Sequence, residues 1–396
     1  MSKVMVVNAG SSSLKFQLLE MPNEVVLTSG IIERIGFDDA YFTIKLNGEK
    51  VKKVLPIKDH KVAVEILLDA LLEYKVVSSY EEIKGIGHRV VNGGDLFPES
   101  IKVEADTIER LEALNDLAPL HNPAAIVGYK AFNSALPHAG NVLVFDTSFF
   151  VDMPKTSYIY PVPYEWYTEY AVRKYGAHGT SHKYVASEAR KLFNLGEDAK
   201  IITCHIGNGA SISAVKGNKC IDTSMGLTPL AGVMMGTRSG DIDPAIIKFI
   251  CEKTGKSVAE VTNDLNKKSG LLGVSGVSSD SRDVENAANE GNERAILAQN
   301  LQVQTIVKYI GTYFVELGGC DAIIFTAGLG GNNKAMREQV CNKLKDALGV
   351  IIDKERNNVW GETRVITADE SKVKAAIIPT NEELVIARDT TRLLNL

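Results

Sequence analysis

The chain has 396 residues, which is too many for a single hydrophobic core and predicts roughly two or three domains. The composition, 45% hydrophobic and 23% charged, excludes a largely disordered protein, and the net charge of −5 argues against a large nucleic-acid footprint. The five cysteines are scattered and form no C-x-x-C pair, which fits buried thiols in a reducing compartment. No apolar run reaches the ~18 residues of a membrane span. We therefore expect a cytoplasmic protein that binds neither nucleic acid nor membrane.

The first predicted element is a β-hairpin at the N-terminus. Residues 4–7 and 16–19 are apolar runs of strand type, and the small and polar residues 8–13 between them favour a turn. This turn offers backbone N–H groups, three serine hydroxyls and Lys15 at one place, which suits a phosphate chain. The alternative is an ordinary serine-rich turn.

An arginine follows in a favourable position at the end of a strand. Residues 25–56 alternate like further strands, with Asn47-Gly48 as a hairpin turn, and residues 61–75 have helical spacing. The next strand ends in Arg89, just before a Gly-Gly turn. A guanidinium there suits a carboxylate or phosphate, which it binds with two hydrogen bonds, although a surface arginine is the alternative.

A carboxylate ends a later strand. Residues 104–116 look helical, and another helix opens at Asn122-Pro123. Residues 141–150 form a buried strand that ends in Asp146. Open α/β sheets place their chemistry at the carboxyl ends of parallel strands, so Asp146 is a candidate, with a turn aspartate as the equal alternative.

Two histidines lie close together near the middle of the chain. His178 stands in a loop between two glycines, ahead of a helix, and His182 is four residues further on. No glutamate separates them, and Gly179 argues against a helix at that point, so a zinc pair is disfavoured.

The opening pattern then recurs. Residues 199–226 repeat an apolar strand, a turn at Gly207-Asn208-Gly209 and an alternating strand. We interpret this as an internal duplication, in which each half of the chain offers a phosphate-binding hairpin.

The last third supplies a second loop arginine and two more βα units. Arg238 lies in the loop of residues 228–244, and a long helix is predicted over about 293–317. Residues 321–333 read as a buried strand, a glycine-rich turn and a helix. In the final helix, Thr380 is the predicted N-cap and Glu383 its capping-box partner, which leaves Glu382 to point elsewhere.

With these features in place, the chain resembles the acetate kinase family along its whole length. The matching segments, in order, are NAGSSSLK, GHRVVNGG, LAPLHNP, FDTS, YGAHGTSH, HIGNGAS, DTSMGLTPL, MGTRSGDIDP, FTAGLGGN and PTNEELVIARDT. The resemblance implies an α/β fold of two duplicated actin-like (ribonuclease H-like) domains that enclose a nucleotide cleft. It implies a first domain of residues 1–147 plus 381–396 and a second of residues 148–380.

The resemblance also implies an activity and its partners. The family transfers a phosphoryl group reversibly from ATP to acetate, with Mg²⁺ and with Mn²⁺ as the alternative metal, giving acetyl phosphate and ADP. A homodimer is implied as well. Propionate or another short-chain fatty acid as acceptor, and a non-kinase actin-like ATPase, are the competing functions.

Four groups of site residues follow from the same resemblance. The metal ligands would be Asn8 and Glu382. Arg89 and Arg238 would grip the carboxylate and the transferring phosphoryl group, His178 would stabilise the transition state, and Asp146 would be the catalytic aspartate. The acyl pocket would be lined by Val91, Leu120, Ala177 and Pro229. ATP would be surrounded by Ser11, Ser13, Lys15, His205, Ile206, Gly207, Asn208, Gly209, Asp280, Ser281, Arg282, Gly328, Leu329, Gly330, Gly331 and Asn332.

The chain departs from the family pattern in places. Asn92 and Phe150 stand where many members carry histidine, and Gly331 stands where G-x-G-E-N is usual. Some members have phenylalanine at position 177, so Ala177 implies a roomier pocket that keeps propionate as an alternative. The fine preference for acid and for nucleotide therefore stays open.

Overall fold

The computed structural model describes residues 1–119 and 121–396. The predicted α/β class is confirmed. The strands are β1 (Ser2–Gly10), β2 (Ser13–Met21), β3 (Val25–Glu33), β4 (Tyr41–Leu46), β5 (Glu49–Val54), β6 (Ile83–Val90), β7 (Ile101–Lys102), β8 (Gly140–Phe145), β9 (Lys200–Ile206), β10 (Ala210–Lys216), β11 (Lys219–Thr223), β12 (Ala322–Thr326), β13 (Arg364–Val365) and β14 (Lys374–Ile377).

Helices separate and follow these strands. They are α1 (His60–Glu73), α2 (Thr107–Glu112), α3 (Asn122–Ala135), α4 (Lys155–Tyr158), α5 (Tyr164–Tyr170), α6 (Gly179–Leu192), α7 (Ala245–Thr254), α8 (Val258–Lys267), α9 (Gly270–Ser275), α10 (Ser281–Asn289), α11 (Glu293–Glu316), α12 (Ala327–Asn332), α13 (Lys334–Leu348) and α14 (Glu382–Leu394). Short 3-10 helices span Tyr80–Glu82, Asn115–Leu117 and Asp146–Phe150. None of the described helices combines the length and apolar character needed to cross a membrane.

Contacts divide the described residues into two compact units. The first unit is Met1–Ser148 together with Asn381–Leu396, and the second is Phe149–Thr380. Each unit contains its own sheet and its own buried apolar cluster.

The two sheets share one topology, which confirms the predicted duplication. In the first unit β1, β2 and β3 form an antiparallel meander, and β6 and then β8 add in parallel on the other side of β1. In the second unit β9, β10 and β11 form the meander, and β12 and β14 add in parallel beside β9. Both sheets extend further at their edges, by β4, β5 and β7 in the first unit and by β13 in the second.

The hairpin turns follow the predicted chemistry, with one difference in length. The second hairpin turns at Gly207-Asn208-Gly209, and β4 and β5 turn at Asn47-Gly48, as predicted. In the first hairpin the strands continue to Gly10, so the predicted turn of residues 8–13 shortens to two residues. Asn8 is therefore a strand residue and pairs directly opposite Lys15.

Helix α14 docks closely on β6 because that strand carries glycines. A Cβ at Gly87 would lie 2.3 Å from the hydroxyl oxygen of Thr390, and one at Gly85 would lie 2.9 Å from a methyl of Leu394. Contacts of that length are shorter than carbon side chains tolerate, so glycine is required for this approach. The docked helix fixes its first residue, Glu382, near the end of β6.

Four other predicted features differ from the structure. Gly179 was expected to argue against a helix, but α6 begins at that residue. The glycine-rich turn predicted in residues 321–333 is the helix α12, which begins at Ala327 in a left-handed conformation (φ 65°). The N-cap of α14 is Asn381, whose side chain accepts from the Leu384 N–H, so the prediction of Thr380 was wrong. The helix predicted over residues 104–116 is shorter, because α2 ends at Glu112. Helices α1 and α11 agree with the predicted spans.

We expect His88 to make the protein less stable in mild acid. Its ring is buried in the first unit and donates to the Asn141 side-chain oxygen at 2.9 Å, and burial lowers its pKa from 6.5 to about 4. Between these values the unfolded chain binds more protons than the folded chain, so the free energy of unfolding falls as pH falls. From pH 7 to pH 5 this contributes a loss of ~2 kcal/mol.

Urea unfolding at several pH values measures this loss. His88→Gln keeps a donor for Asn141 but cannot protonate, so its stability should depend less on pH by that amount. His138→Gln, at an exposed ring, is the matched control and should keep the parent's pH dependence. Parallel pH curves for the parent and His88→Gln would contradict the expectation.

Candidate active site

The first cluster is an ion pair at the carboxyl ends of two parallel strands. Arg89 is the penultimate residue of β6, and Asp146 directly follows β8, the neighbouring parallel strand. The guanidinium donates from Nη2 to Asp146 Oδ2 at 2.7 Å and from Nε to Oδ1 at 3.3 Å. The Asp146 side chain is 1% exposed. Burial lowers the pKa of Arg89, but Asp146 and Glu382 outweigh that effect, so its pKa is raised and its charge is secure.

Glu382 approaches the same pair from the start of α14. Its Oε2 lies 3.7 Å from Arg89 Nε. Burial raises the pKa of Glu382 to about 7; Arg89 opposes this rise, whereas Asp146 and Glu383 add to it. Because burial is the main cause of the raised pKa, a cation bound beside Glu382 would favour the charged form of its carboxylate.

A small cavity adjoins this carboxylate. Its volume is about 20 Å³, enough for roughly one water-sized particle, and its lining includes Asn8, Lys15, Glu382 and Glu383. Amide and carboxylate oxygens are the ligands that hard divalent cations prefer. Across residues 1–119 and 121–396, however, no cluster of three or more His, Cys, Asp or Glu side chains is arranged to hold a metal by itself. The donor types fit a cation that takes its remaining ligands from water or a bound anion.

A hydrogen bond from helix α1 holds the serine turn of the first hairpin. His60, the first residue of α1, donates from Nε2 to the Gly10 carbonyl oxygen at 2.8 Å. Ser11 is exposed and Ser13 is half-buried, so both hydroxyls stay accessible in this unit. His60 belongs to no sequence motif, so its hydrogen bond to Gly10 could not be predicted and is seen only in the structure.

The loop that carries Val91 is held rigidly by an asparagine. Asn122 accepts from the Asn92 N–H at 3.3 Å and donates to the Asn92 carbonyl at 2.8 Å, and the Asn92 side chain accepts from Gly94 N–H at 2.8 Å. These bonds fix the backbone on which half-buried Val91 is mounted. Leu120, also predicted for the acyl pocket, lies outside the described residues.

In the second unit His178 occupies a strained position. It stands just before α6 with φ 60° and ψ 27°, a left-handed conformation that is uncommon for residues with a side chain and clusters at functional sites. Its ring stacks on that of His205, with centroids 4.1 Å apart and planes 16° apart. Nδ1 of His178 lies 2.8 Å from the hydroxyl oxygen of Ser211.

Arg238 approaches the same place from its loop. Its Nη1 donates to the Pro229 carbonyl oxygen at 3.1 Å, and burial lowers its pKa from the normal arginine value without neutralising it. A Cβ built on Gly209 would lie 3.4 Å from Arg238 Nη1 and 3.7 Å from His178 Nε2. The two nitrogens thus flank the space beside Gly209. Ala177, predicted for the acyl pocket, is 5% exposed and belongs to the apolar cluster of this unit.

A large cavity is lined in part by Gly207 and Asn208 of the same hairpin turn. Its volume is about 900 Å³, in the range of small-molecule sites. Eight of the predicted ATP residues line it, namely Gly207, Asn208, Asp280, Ser281, Arg282, Gly328, Leu329 and Asn332. Four other predicted residues of this unit are buried: His205, Ile206, Gly330 and Gly331.

Several residues that line or support this cavity were not predicted from the sequence. Glu285, Lys334 and Trp360 belong to its lining, and Trp360 is 58% exposed. Arg337 of α13 is fully buried and donates to the carbonyl oxygens of Gly330, Asn357 and Val359, each at 3.0 Å. Arg337 therefore ties α12 to the segment before Trp360. A lone helical arginine carries no sequence signal for such a role.

The comparisons with known proteins extend over the length of the chain. A profile described as the Acetokinase family matches residues 3–388. Acetate kinase 2 of Listeria monocytogenes serotype 4b (strain F2365) is 55% identical over 396 residues, which are 100% of each chain. The crystal structure of Porphyromonas gingivalis acetate kinase has a TM-score of 0.95 at 45% identity and 100% coverage of both chains. A propionate kinase of Francisella tularensis subsp. tularensis SCHU S4 has a TM-score of 0.93 at 43% identity, covering 99% of this chain and 100% of that one.

The buried ion pair generates a stability prediction. Arg89→Ala removes the positive charge that faces the buried Asp146 carboxylate, and we expect the free energy of unfolding to fall by ~3 kcal/mol. Arg238→Ala removes a donor to a neutral carbonyl, so it should cost only ~1 kcal/mol. Urea unfolding of the two variants measures both values. Equal losses would mean that the Arg89–Asp146 pair contributes no more than a neutral hydrogen bond.

Proposed function

The chain belongs to the acetokinase family, and we propose that it catalyses reversible, Mg²⁺-dependent phosphoryl transfer from ATP to acetate, giving acetyl phosphate and ADP. One observation carries the chemistry. Gly207 and Asn208 of the hairpin turn line a nucleotide-sized cavity, and the next residue, Gly209, lies close to His178 Nε2 and Arg238 Nη1. A phosphoryl group at the end of a bound nucleotide would thus meet an arginine and an imidazole.

The acceptor needs no strong general base. A carboxylic acid has a pKa near ~4.3, so acetate is already an anion at neutral pH. The difficulty is to bring two anions together and to stabilise the charge of a loose, in-line transfer. Arginines, a histidine and backbone N–H groups meet that need. Asp146 then acts by holding Arg89 in place, which agrees with its two hydrogen bonds to that guanidinium.

The polar residues of the first unit bind charge in this proposal. Arg89 orients the carboxylate of the acid, while Lys15, Ser11 and Ser13 bind phosphate oxygens. Asn8 and Glu382 hold the Mg²⁺, with Mn²⁺ as the alternative, which is supported by their oxygen donors around a small cavity and by the raised pKa of Glu382. When bound, the metal neutralises negative charge on the phosphate oxygens.

The residues of the second unit bind the nucleotide and the transferring group. ATP occupies the large cavity, where the glycines of the turn and of α12 allow close approach of the backbone. Arg238 pairs with the phosphoryl group, and His178 stabilises the transition state. Gly331 lies in α12, and a Cβ added there would meet no heavy atom within 4 Å.

The acyl group contacts apolar surface in this proposal. Val91, Ala177 and Pro229 keep the roles expected for them, together with Leu120. The rigid loop around Asn92 and Asn122 supports Val91, because a fixed backbone sets the depth of a small pocket. Ala177 is already packed, so Val91 is the position at which pocket volume is most easily changed.

The remaining expectations belong to the same proposal. We propose two domains, residues 1–147 with 381–396 and residues 148–380, supported by the two compact units. A cytoplasmic enzyme is supported by its free cysteines, which suit a reducing compartment. A homodimer is supported by α7, where the large apolar side chains of Ile246 and Phe249 are 41% and 56% exposed.

Propionate is retained as a second acceptor because of one comparison. The propionate kinase of Francisella tularensis is nearly as similar in structure as the acetate kinase of Porphyromonas gingivalis. A non-kinase actin-like ATPase is the other alternative. It has no need of paired arginines that clamp a small acid, so the formation of acyl phosphate separates it from the kinases.

The test is a hydroxamate assay for acyl phosphate with ATP, Mg²⁺ and acetate. We expect acetyl phosphate from the parent and a loss of ~10²–10³ in turnover for Arg238→Ala, because each lost charge-assisted contact to the transition state costs ~3–4 kcal/mol. Arg364→Ala is the matched control, since Arg364 is an exposed arginine paired with Glu362 in the same unit. ATP hydrolysis without acyl phosphate from any short acid would overturn the proposal in favour of the ATPase.

The acyl pocket gives a separate prediction. Val91→Ala should raise the ratio of kcat/KM for propionate to kcat/KM for acetate, because one methylene in an apolar pocket changes specificity by ~10–200-fold. Ala177→Phe should lower that ratio, provided that the variant folds. Leu96→Ala, at an exposed apolar side chain of the first unit, is the control. An unchanged ratio in Val91→Ala would remove Val91 from the acyl wall.

A further inference from the structure

A line of buried polar side chains leads away from His178 into the second unit. Nδ1 of His178 lies 2.8 Å from Ser211 Oγ, and the same oxygen lies 2.7 Å from Nε2 of His182. On the far side of that ring, Nδ1 of His182 lies 2.7 Å from Thr203 Oγ1. Ser211, His182 and Thr203 are all 0% exposed. These hydrogen bonds are therefore made without competition from bulk water.

The secondary structure accounts for this line. Ser211 lies on β10 and Thr203 on β9, and these strands are antiparallel neighbours. His182 lies on the first turn of α6, which packs on β9. The ring of His182 thus reaches both hydroxyls, one from each strand, while His178 immediately precedes the same helix.

The hydrogen bond of Thr203, at the far end of this line, determines which atoms donate and which accept along it. The hydroxyl of Thr203 donates to the Ser213 carbonyl oxygen at 3.4 Å, and a carbonyl can only accept. Thr203 Oγ1 is then the acceptor for an N–H on Nδ1 of His182, which leaves Nε2 of that neutral ring to accept from Ser211. Since Ser211 has a single hydroxyl proton, its oxygen accepts from Nδ1–H of His178.

The surroundings keep His182 neutral. Burial lowers its pKa well below 6.5, and the nearby ring of His205 lowers it further. The aromatic ring of Phe150 meets His182 edge-on at 6.2 Å, and His205 lies at 6.2 Å on another side. A neutral imidazole carries one N–H, so the nitrogen that holds this proton decides whether Ser211 donates to His182 or accepts from it.

We propose that His182, acting through Ser211, holds His178 as the tautomer with its proton on Nδ1. Nε2 of His178, which lies beside Gly209 as does Arg238 Nη1, is then the nitrogen that takes up a second proton from bulk water and donates it as a hydrogen bond to the transferring phosphoryl group. His182 and Ser211 are positioning residues, because they act through His178. The inference rests on the proposed function, in which His178 stabilises the transition state.

Ser211→Ala tests the relay by kinetics. Without the hydroxyl both tautomers of His178 become accessible, and we expect kcat for acetyl phosphate formation to fall about 10- to 100-fold while KM for ATP and acetate changes little. Thr223→Val is the matched control. It removes a buried hydroxyl from the neighbouring strand β11, one that bonds the Ser213 side chain at 2.9 Å and takes no part in the relay. Its kcat should remain that of the parent even if its melting temperature falls.

A double substitution separates a positioning role from a general structural one. In a His178→Ala background, Ser211→Ala should cause no further loss of kcat, because its only route to the reaction has been removed. An additional loss equal to that of the single variant would overturn the relay. If His178→Ala itself retained the parent's kcat, the proposed role of His178 would fail first, and this outcome is distinct from failure of the relay.

Nitrogen-15 NMR of histidine-labelled protein gives a readout independent of turnover. In the parent, His178 should be protonated on Nδ1, and Ser211→Thr, which keeps a hydroxyl, should preserve that signal. Ser211→Ala should shift it toward the Nε2–H tautomer. A parent signal with Nδ1 unprotonated would overturn the proposal even if Ser211→Ala did not fold.

Discussion

The buried ion pair of Arg89 and Asp146 sets the arrangement of the polar residues in the first unit. Two parallel strands end side by side, and each contributes one partner of the pair. A buried carboxylate is costly unless a cation neutralises it, so the two strand ends are held in register by charge as well as by backbone hydrogen bonds. Glu382 then adds a second carboxylate to one guanidinium. Burial disfavours the charged form of this second carboxylate, which is the physical reason to expect a cation at this place.

In the second unit the ring of His178 stacks on His205 and lies 2.8 Å from the Ser211 hydroxyl oxygen. Arg238 Nη1 lies close to the same place, beside Gly209, and supplies a positive charge there. Among the described residues Arg238 donates to the Pro229 carbonyl and forms no ion pair with a carboxylate, so its charge is not neutralised within this unit. The left-handed backbone at His178 is maintained by the stacking on His205 and by the bond to Ser211, and both contacts restrict the ring to one orientation.

Much of this could be predicted from local sequence, because periodicity and turn chemistry act over a few residues. The turns at Asn47-Gly48 and at residues 207–209 and the helix α1 follow from such patterns. The helix α12 did not, because its glycines signal a turn and only its packing after β12 makes it helical. The N-cap of α14 is Asn381, although Thr380 fits the capping pattern. Which residue caps the helix depends on the path of the chain after β14. The Thr380 hydroxyl has no hydrogen-bond partner among the described residues.

Contacts between side chains that are far apart in the chain were the hardest feature to predict from the sequence. Ser211 and His182 are 29 positions apart, and Arg337 reaches Val359 over 22 positions, so no local window contains either contact. The duplication offers a reason why these contacts differ between the units. Both copies place a hairpin turn and strand ends at one edge of a sheet, but the first has Lys15 opposite Asn8, whereas the second has a turn bounded by two glycines. A shared topology therefore fixes where polar residues gather, and the side chains at that edge decide its chemistry.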